Sequence, residues 1–189
     1  YSDAVSALRG FANSKINAGI VFSAGFNRRL FANCEHVNDF YLSEGKFKKR
    51  LILKVSDFRS SLIQGRFLAK KGIWISEYRI ESGLNCGGHA FATDGLLCGP
   101  ILEEFKQNKE SLDNECRSIC NKVLNAKGKQ PIPDSEFSKV TYQGGIGTSN
   151  EQDFLMDYYN VSSTGWGTPF LMVPEVTTLD NATRLLLEK

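Results

Sequence analysis

Apolar positions along the chain recur at two spacings, and their alternation predicts the architecture. In "SDAVSALRGFA", Val5, Leu8 and Phe11 repeat at helical spacing behind a Ser2 or Asp3 cap. "INAGIVFSAGFN" is a short run rich in Ile, Val and Phe that ends at Gly25, the pattern of a buried strand. "NCEHVNDFY" is polar and predicts irregular structure or a short helix. "KFKKRLILKVSDFRSSLIQG" places Phe47, Leu51, Val55, Phe58 and Leu62 every three or four residues, which predicts one amphipathic helix closed by Gly65. "GIWISEYRIESG" reads as a strand with Ile73, Ile75 and Tyr78 inward. The longest helical pattern follows Pro100 and ends at Gly128, with Ile101, Phe105, Leu112, Cys116, Ile119 and Val123 in one stripe. After the proline-containing loop "KQPIPDSEFS" comes the strand "KVTYQGG". A short helix follows with Phe154, Leu155 and Tyr158 on one side. "SSTGWGTPFLMVPE" begins as a strand, and "TLDNATRLLLEK" is a helix capped by Thr178 or Asp180.

Helices alternating with about four strands imply an α/β fold with parallel (β/α) units. A complete (β/α)₈ barrel needs roughly 250 residues, and this chain has 189. The expectation is a single TIM-barrel-like domain over 1–189: a half barrel, or a barrel fragment from a longer chain. The opening Tyr1-Ser2-Asp3, without a Met, points the same way. Such a piece would expose sheet edges and associate with itself or with the missing half.

A formal net charge of +2 favours neither nucleic acid nor membrane as a partner. "KFKKR" suits a solvated surface, and no apolar run reaches membrane-spanning length. Five cysteines (Cys34, Cys86, Cys98, Cys116 and Cys120) lack framework spacing, which fits a reducing cytoplasm. Cys116 and Cys120 share a helix face and read as small buried hydrophobes rather than metal ligands. No metal site is expected.

Candidate chemistry collects where strands end in glycines: Gly83, Gly87 and Gly88; Gly144, Gly145 and Gly147; Gly165 and Gly167. Glycine lets backbone N–H groups converge, and a following helix N-terminus adds donors and positive potential. "GGIGTSNEQ" and "GWGTPF" each place a Thr (Thr148, Thr168) directly after the glycines. Such turns also serve tight geometry alone. Two in succession favour a phosphate. "NCGGHAFATDG" brings Cys86, His89 and Asp94 within ten residues. Cys86 suits a nucleophile or redox group with His89 as its base, or His89 acts as a general acid. Equally, His89 packs against the sheet or caps a turn. Trp166, between two turn glycines, is placed to line a pocket against a ring.

"YQGGIGTSNEQDFLMDYYNVSSTGWGTPFL" resembles the last two βα units of flavin-dependent (β/α)₈ barrels of the glutamate synthase and IMP dehydrogenase type. There a "GGI-x-T" turn follows strand seven and a "G-x-GT" turn follows strand eight. The resemblance implies that Gly144, Gly145, Gly147, Thr148, Gly165, Gly167 and Thr168 hold an FMN or substrate phosphate. It covers about the second half of the chain. "ESGLNCGGHAFATDG" is more distantly similar to the glycine-pair loop after strand six, which brings in Gly87 and Gly88. Trp166 replaces a usual small residue, "YYN" stands where Gly-Ala-Asp is common, and the iron–sulfur cysteines of glutamate synthases are not recognisable. "SGLNCGGHAF", "GPILEEF" and "GWGTPFL" are also similar to a bacterial family without an assigned activity. The implied function is an FMN-dependent oxidoreductase taking a phosphorylated small molecule. The alternatives are a flavin-independent phosphometabolite lyase or isomerase, and a non-enzymatic structural domain.

Overall fold

The computed structural model describes residues 2–23, 25–81, 98–166 and 180–187. The elements are α1 (Asp3–Asn13), β1 (Gly19–Phe22), α2 (Arg28–Asn33), β2 (Arg50–Val55), α3 (Phe58–Ala69), β3 (Ile75–Glu81), α4 (Cys98–Ala126), β4 (Lys139–Gln143), α5 (Ser149–Asp157), β5 (Ser163–Gly165) and α6 (Asn181–Leu187). Two 3₁₀ turns, Cys34–His36 and Asn38–Phe40, occupy the polar stretch before β2. The five strands form one parallel sheet in the order β1-β2-β3-β4-β5. Strand order never reverses among them, so this sheet lacks the switch point of doubly wound folds.

Directly paired residues of a parallel sheet share a face. Phe22, Leu53, Tyr78 and Val140 make one such row, and Ile80, Tyr142 and Thr164 another. Helices α2, α3, α4 and α5 pack on this face. Phe22 stacks on Phe31 of α2 at 5.4 Å, and Tyr78 meets Phe105 of α4 at 6.4 Å. Gly65 of α3 lets the Tyr78 ring pass, since a Cβ there would lie 2.6 Å from its hydroxyl. Thr164 donates to Gln152 of α5. The core is therefore one layer between sheet and helices, with Leu51, Leu53, Leu68, Ile80, Phe105 and Leu124 all but inaccessible to solvent.

Three sequence readings change. Residues 46–65 are not one helix. Leu51, Leu53 and Val55 are buried while Ile52 and Lys54 are less so, a period of two rather than 3.6. Asp57 then starts α3, its carboxylate accepting from the Ser60 amide at 2.6 Å, and Gly65 lies inside that helix. This adds the fifth strand. On α4 the buried stripe runs through Leu102, Phe105, Leu112, Cys116, Cys120 and Leu124, with Ile101, Ile119 and Val123 at its margin. On α5, Leu155 is buried, whereas Phe154 and Tyr158 stack on each other on the exposed side at 5.2 Å.

Ser2 takes the N-cap position of α1 but makes no side-chain cap bond, whereas two other caps form as the sequence predicts. Gly128 has φ +62, and Gly128 N–H and Lys129 N–H donate to the carbonyls of Asn125 and Leu124, the pair of bonds that closes a helix on a left-handed residue. Asp180 accepts from the Thr183 amide and so caps α6. None of the described helices is long and apolar enough to cross a membrane.

Cys116 and Cys120 are buried, as is Cys34. Burial pushes the Cys116 thiol up to about 11 and those of Cys34 and Cys120 up to about 12. Because the thiolate is the reactive species, iodoacetamide at neutral pH is expected to label these three in the native protein at least tenfold more slowly than after denaturation, as read by peptide mass spectrometry.

Ion pairs hold the segment between α2 and β2. Lys71 and Lys127 both hold Glu35, and Lys48 and Lys49 hold Asp39. The lysine hydrogen bonds keep both carboxyls below their ordinary range. A folded-state pKa below the unfolded value means the stabilisation is fully present above the unfolded pKa. It is lost as pH falls through the folded one. The thermal midpoint should accordingly be flat from pH 7 to about 5 and fall below about pH 4. A midpoint unchanged at pH 3 would contradict this.

Candidate functional site

Strands β4 and β5 end side by side, and the ladder runs one step further, with Gly144 N–H donating to the Gly165 carbonyl at 3.0 Å. The two glycine turns thus meet, as far as they are described. Gly144 and Gly145 have φ +87 and +67. These left-handed conformations explain both glycines without a ligand. Ile146, 2 % exposed, pins the turn to the core. Gly165 also has a packing reason, since a Cβ there would lie 2.8 Å from Cγ of Gln143.

Gly147 is different. Its φ is not positive, and a Cβ would meet only Glu151 Oε2, at 3.6 Å. Neither backbone nor packing among the described residues demands glycine there. Its amide and that of Thr148 converge on one carboxylate oxygen, Glu151 Oε2, at 2.8 and 2.9 Å. Thr148 Oγ1 accepts in return from the Glu151 amide at 3.3 Å, completing a capping box at the N-terminus of α5. The two amides hold the Glu151 carboxyl below its ordinary range, Gly147 contributing most. The turn therefore already accepts an oxyanion, supplied by its own helix. The amides of Gly145 and Ile146 have no acceptor among the described residues.

The second sheet face carries chemistry that sequence reading missed. Lys54 and Glu81, near the ends of β2 and β3, pair at 2.8 Å with side chains 20 % and 13 % exposed. Arg79 pairs with Glu77, which also accepts from Thr141 at 2.7 Å. Glu81, Gln143 and Gly165 form the last row of this face, directly below the glycine turns. The arrangement presents charged and hydrogen-bonding groups of both signs on one face. The available signal was the alternation of charged with apolar residues in "LILKV" and "ISEYRIE".

Trp166 does not line this face. Its indole N–H donates to Gln152 Oε1 at 2.8 Å and approaches Thr164 Oγ1 at 3.3 Å, so the ring turns to the helix side beside α5. A cavity of about 70 Å³ between α4 and β4, lined by Leu102, Phe105 and Val140, is also on the helix side and too small for a cofactor. Cys86, Gly87, Gly88, His89, Asp94, Gly167 and Thr168 lie outside the described residues.

Fold and turn together define a parallel α/β domain, with α2 to α5 on one sheet face and an oxyanion-accepting turn at the C-terminal edge of the sheet. No family model, curated protein or solved structure matches the chain.

Proposed function

We propose that this chain forms half of a TIM-barrel-like, phosphate-binding protein of the FMN-dependent oxidoreductase type related to glutamate synthase. The observation that carries the reading is Gly147. Among the described residues nothing structural demands a glycine there, and with Thr148 it offers two convergent amides to an oxyanion. The one-directional strand order, with α2 to α5 on one face, supports a half barrel, in which the second face becomes the interior. Phosphate would be held by Gly145, Ile146, Gly147 and Thr148 on one side and by Gly165, Gly167 and Thr168 on the other. Trp166, turned to the helix side, leaves the polar face clear. The bound flavin would supply hydride transfer, while Cys86, His89 and Asp94 would act at the reactive ring.

Glu151 must yield its two amides to an incoming phosphate. Glu151→Ala should thus tighten FMN binding several-fold while lowering the thermal midpoint, through loss of the cap. Weaker binding in this variant would place the phosphate elsewhere.

The half-buried Lys54–Glu81 pair favours a second reading, acid–base chemistry on a phosphorylated metabolite without flavin. A panel of sugar phosphates and FMN in a thermal-shift assay separates the two. Stabilisation by FMN and by no sugar phosphate supports the flavin reading. The reverse pattern replaces it with the second, and no shift with either leaves the turn a structural cap.

A further inference from the structure

Two buried donors lie near one another at the end of the sheet opposite the glycine turns. Trp74 immediately precedes β3 and is 3 % exposed, and Arg117 on α4 is 6 % exposed. The Trp74 indole Nε1–H and the Arg117 Nε–H have no acceptor among the described residues. Arg117 Cζ is 5.6 Å from the Trp74 ring centre and 5.2 Å from that of Phe137, so the guanidinium lies against two rings. Its Nη1 donates to Asn114 Oδ1 at 2.8 Å, and its Nη2 to the Glu136 carbonyl. Both partners are neutral. Asp113, one turn earlier on α4, is taken by Lys109 and by the amide and hydroxyl of Ser138. Arg117 forms no ion pair with a carboxylate among the described residues.

A buried arginine stays charged, and buried charges are normally paired. Here, among the described residues, a cation has no carboxylate counter-ion, and its own unused Nε–H lies near the unused Trp74 N–H. We propose that Trp74 and Arg117 hold a small monovalent anion of chloride size at the N-terminal end of the sheet. One acceptor about 3 Å from each donor serves both when the donors are within about 6 Å of each other, and the ring-to-Cζ distance of 5.6 Å is compatible with that. A water molecule satisfies the donors and leaves the charge uncompensated. An anion does both. The Phe137 ring against the guanidinium is itself 52 % exposed, which puts the site close to the surface.

The test is thermal unfolding of the full chain in sodium chloride against sodium gluconate at equal ionic strength. Chloride should raise the midpoint by about 3–5 °C. Trp74→Phe, which keeps a ring and removes the N–H, should abolish most of that difference. Equal midpoints in the two salts overturn the site, as does a chloride increment unchanged in Trp74→Phe. Chlorine-35 line broadening gives a readout independent of stability. Excess width with the native chain, lost in both Trp74→Phe and Arg117→Met, supports the site. In a crystal grown with bromide, an anomalous peak in hydrogen-bond reach of both donors supports it, and a water or an adventitious ion only at the surface overturns it.

Discussion

Replacing Lys49 by methionine should lower the thermal midpoint by roughly 10 °C, corresponding to about 3 kcal/mol. Lys49 is the most fully enclosed charge described, with its side chain inaccessible to solvent. Its ammonium has three protons and three partners: Ala12 O at 2.9 Å, Ser14 O at 2.8 Å and Asp39 Oδ2 at 2.7 Å. The lysine thereby ties the end of α1 to the start of β2, and the Phe11 ring lies 5.5 Å from its nitrogen. Methionine fills most of the stem's volume, so the loss reports the ammonium and the stranded acceptors rather than a cavity. Asp39→Asn should cost much less, because Asp39 is a quarter exposed and water replaces part of what it loses. Chemical denaturation of both variants checks the ordering. Equal losses would mean that the carboxylate, not the two carbonyls, dominates.

Gly147→Val should leave stability within about 0.5 kcal/mol of the parent and weaken FMN at least tenfold. Its φ suits an ordinary residue, and the only close atom among the described residues is the flexible end of Glu151. A branched side chain would nonetheless screen the amide that a phosphate needs to approach. Gly145→Val is the contrasting case. At φ +67 a β-branched residue is strained, by about 1–2 kcal/mol, so that variant should lose stability as well as binding. The pair separates a glycine kept for its backbone from one kept for a ligand. Unchanged FMN affinity in Gly147→Val, with folding intact, would remove the turn from the site.

The parallel α/β order was legible in the sequence because most segments carried a single period and clear punctuation. Pro100 falls in the first turn of α4, and Gly128 and Asp180 cap helix ends, as expected. The failure at 46–65 has a specific cause. Leu51, Val55, Phe58 and Leu62 keep helical spacing across the junction of a strand and a helix, and Ser56-Asp57, the break between them, is itself a cap signal. The polar sheet face was missed for another reason. Lys54, Glu81 and Gln143 are distant in sequence and become neighbours only through strand register. Of the candidate site, the Gly144–Thr148 turn was legible. That Gly165 accommodates Gln143 and that Glu151 occupies the amides depends on side-chain placement, which no local pattern encodes.

Phosphate binding by the turn after β4 is decided by calorimetric titration of the full chain with FMN and with riboflavin, which shares the ring and lacks the phosphate. FMN should bind saturably, with riboflavin at least tenfold weaker. Equal affinities, or no binding of FMN, would contradict it.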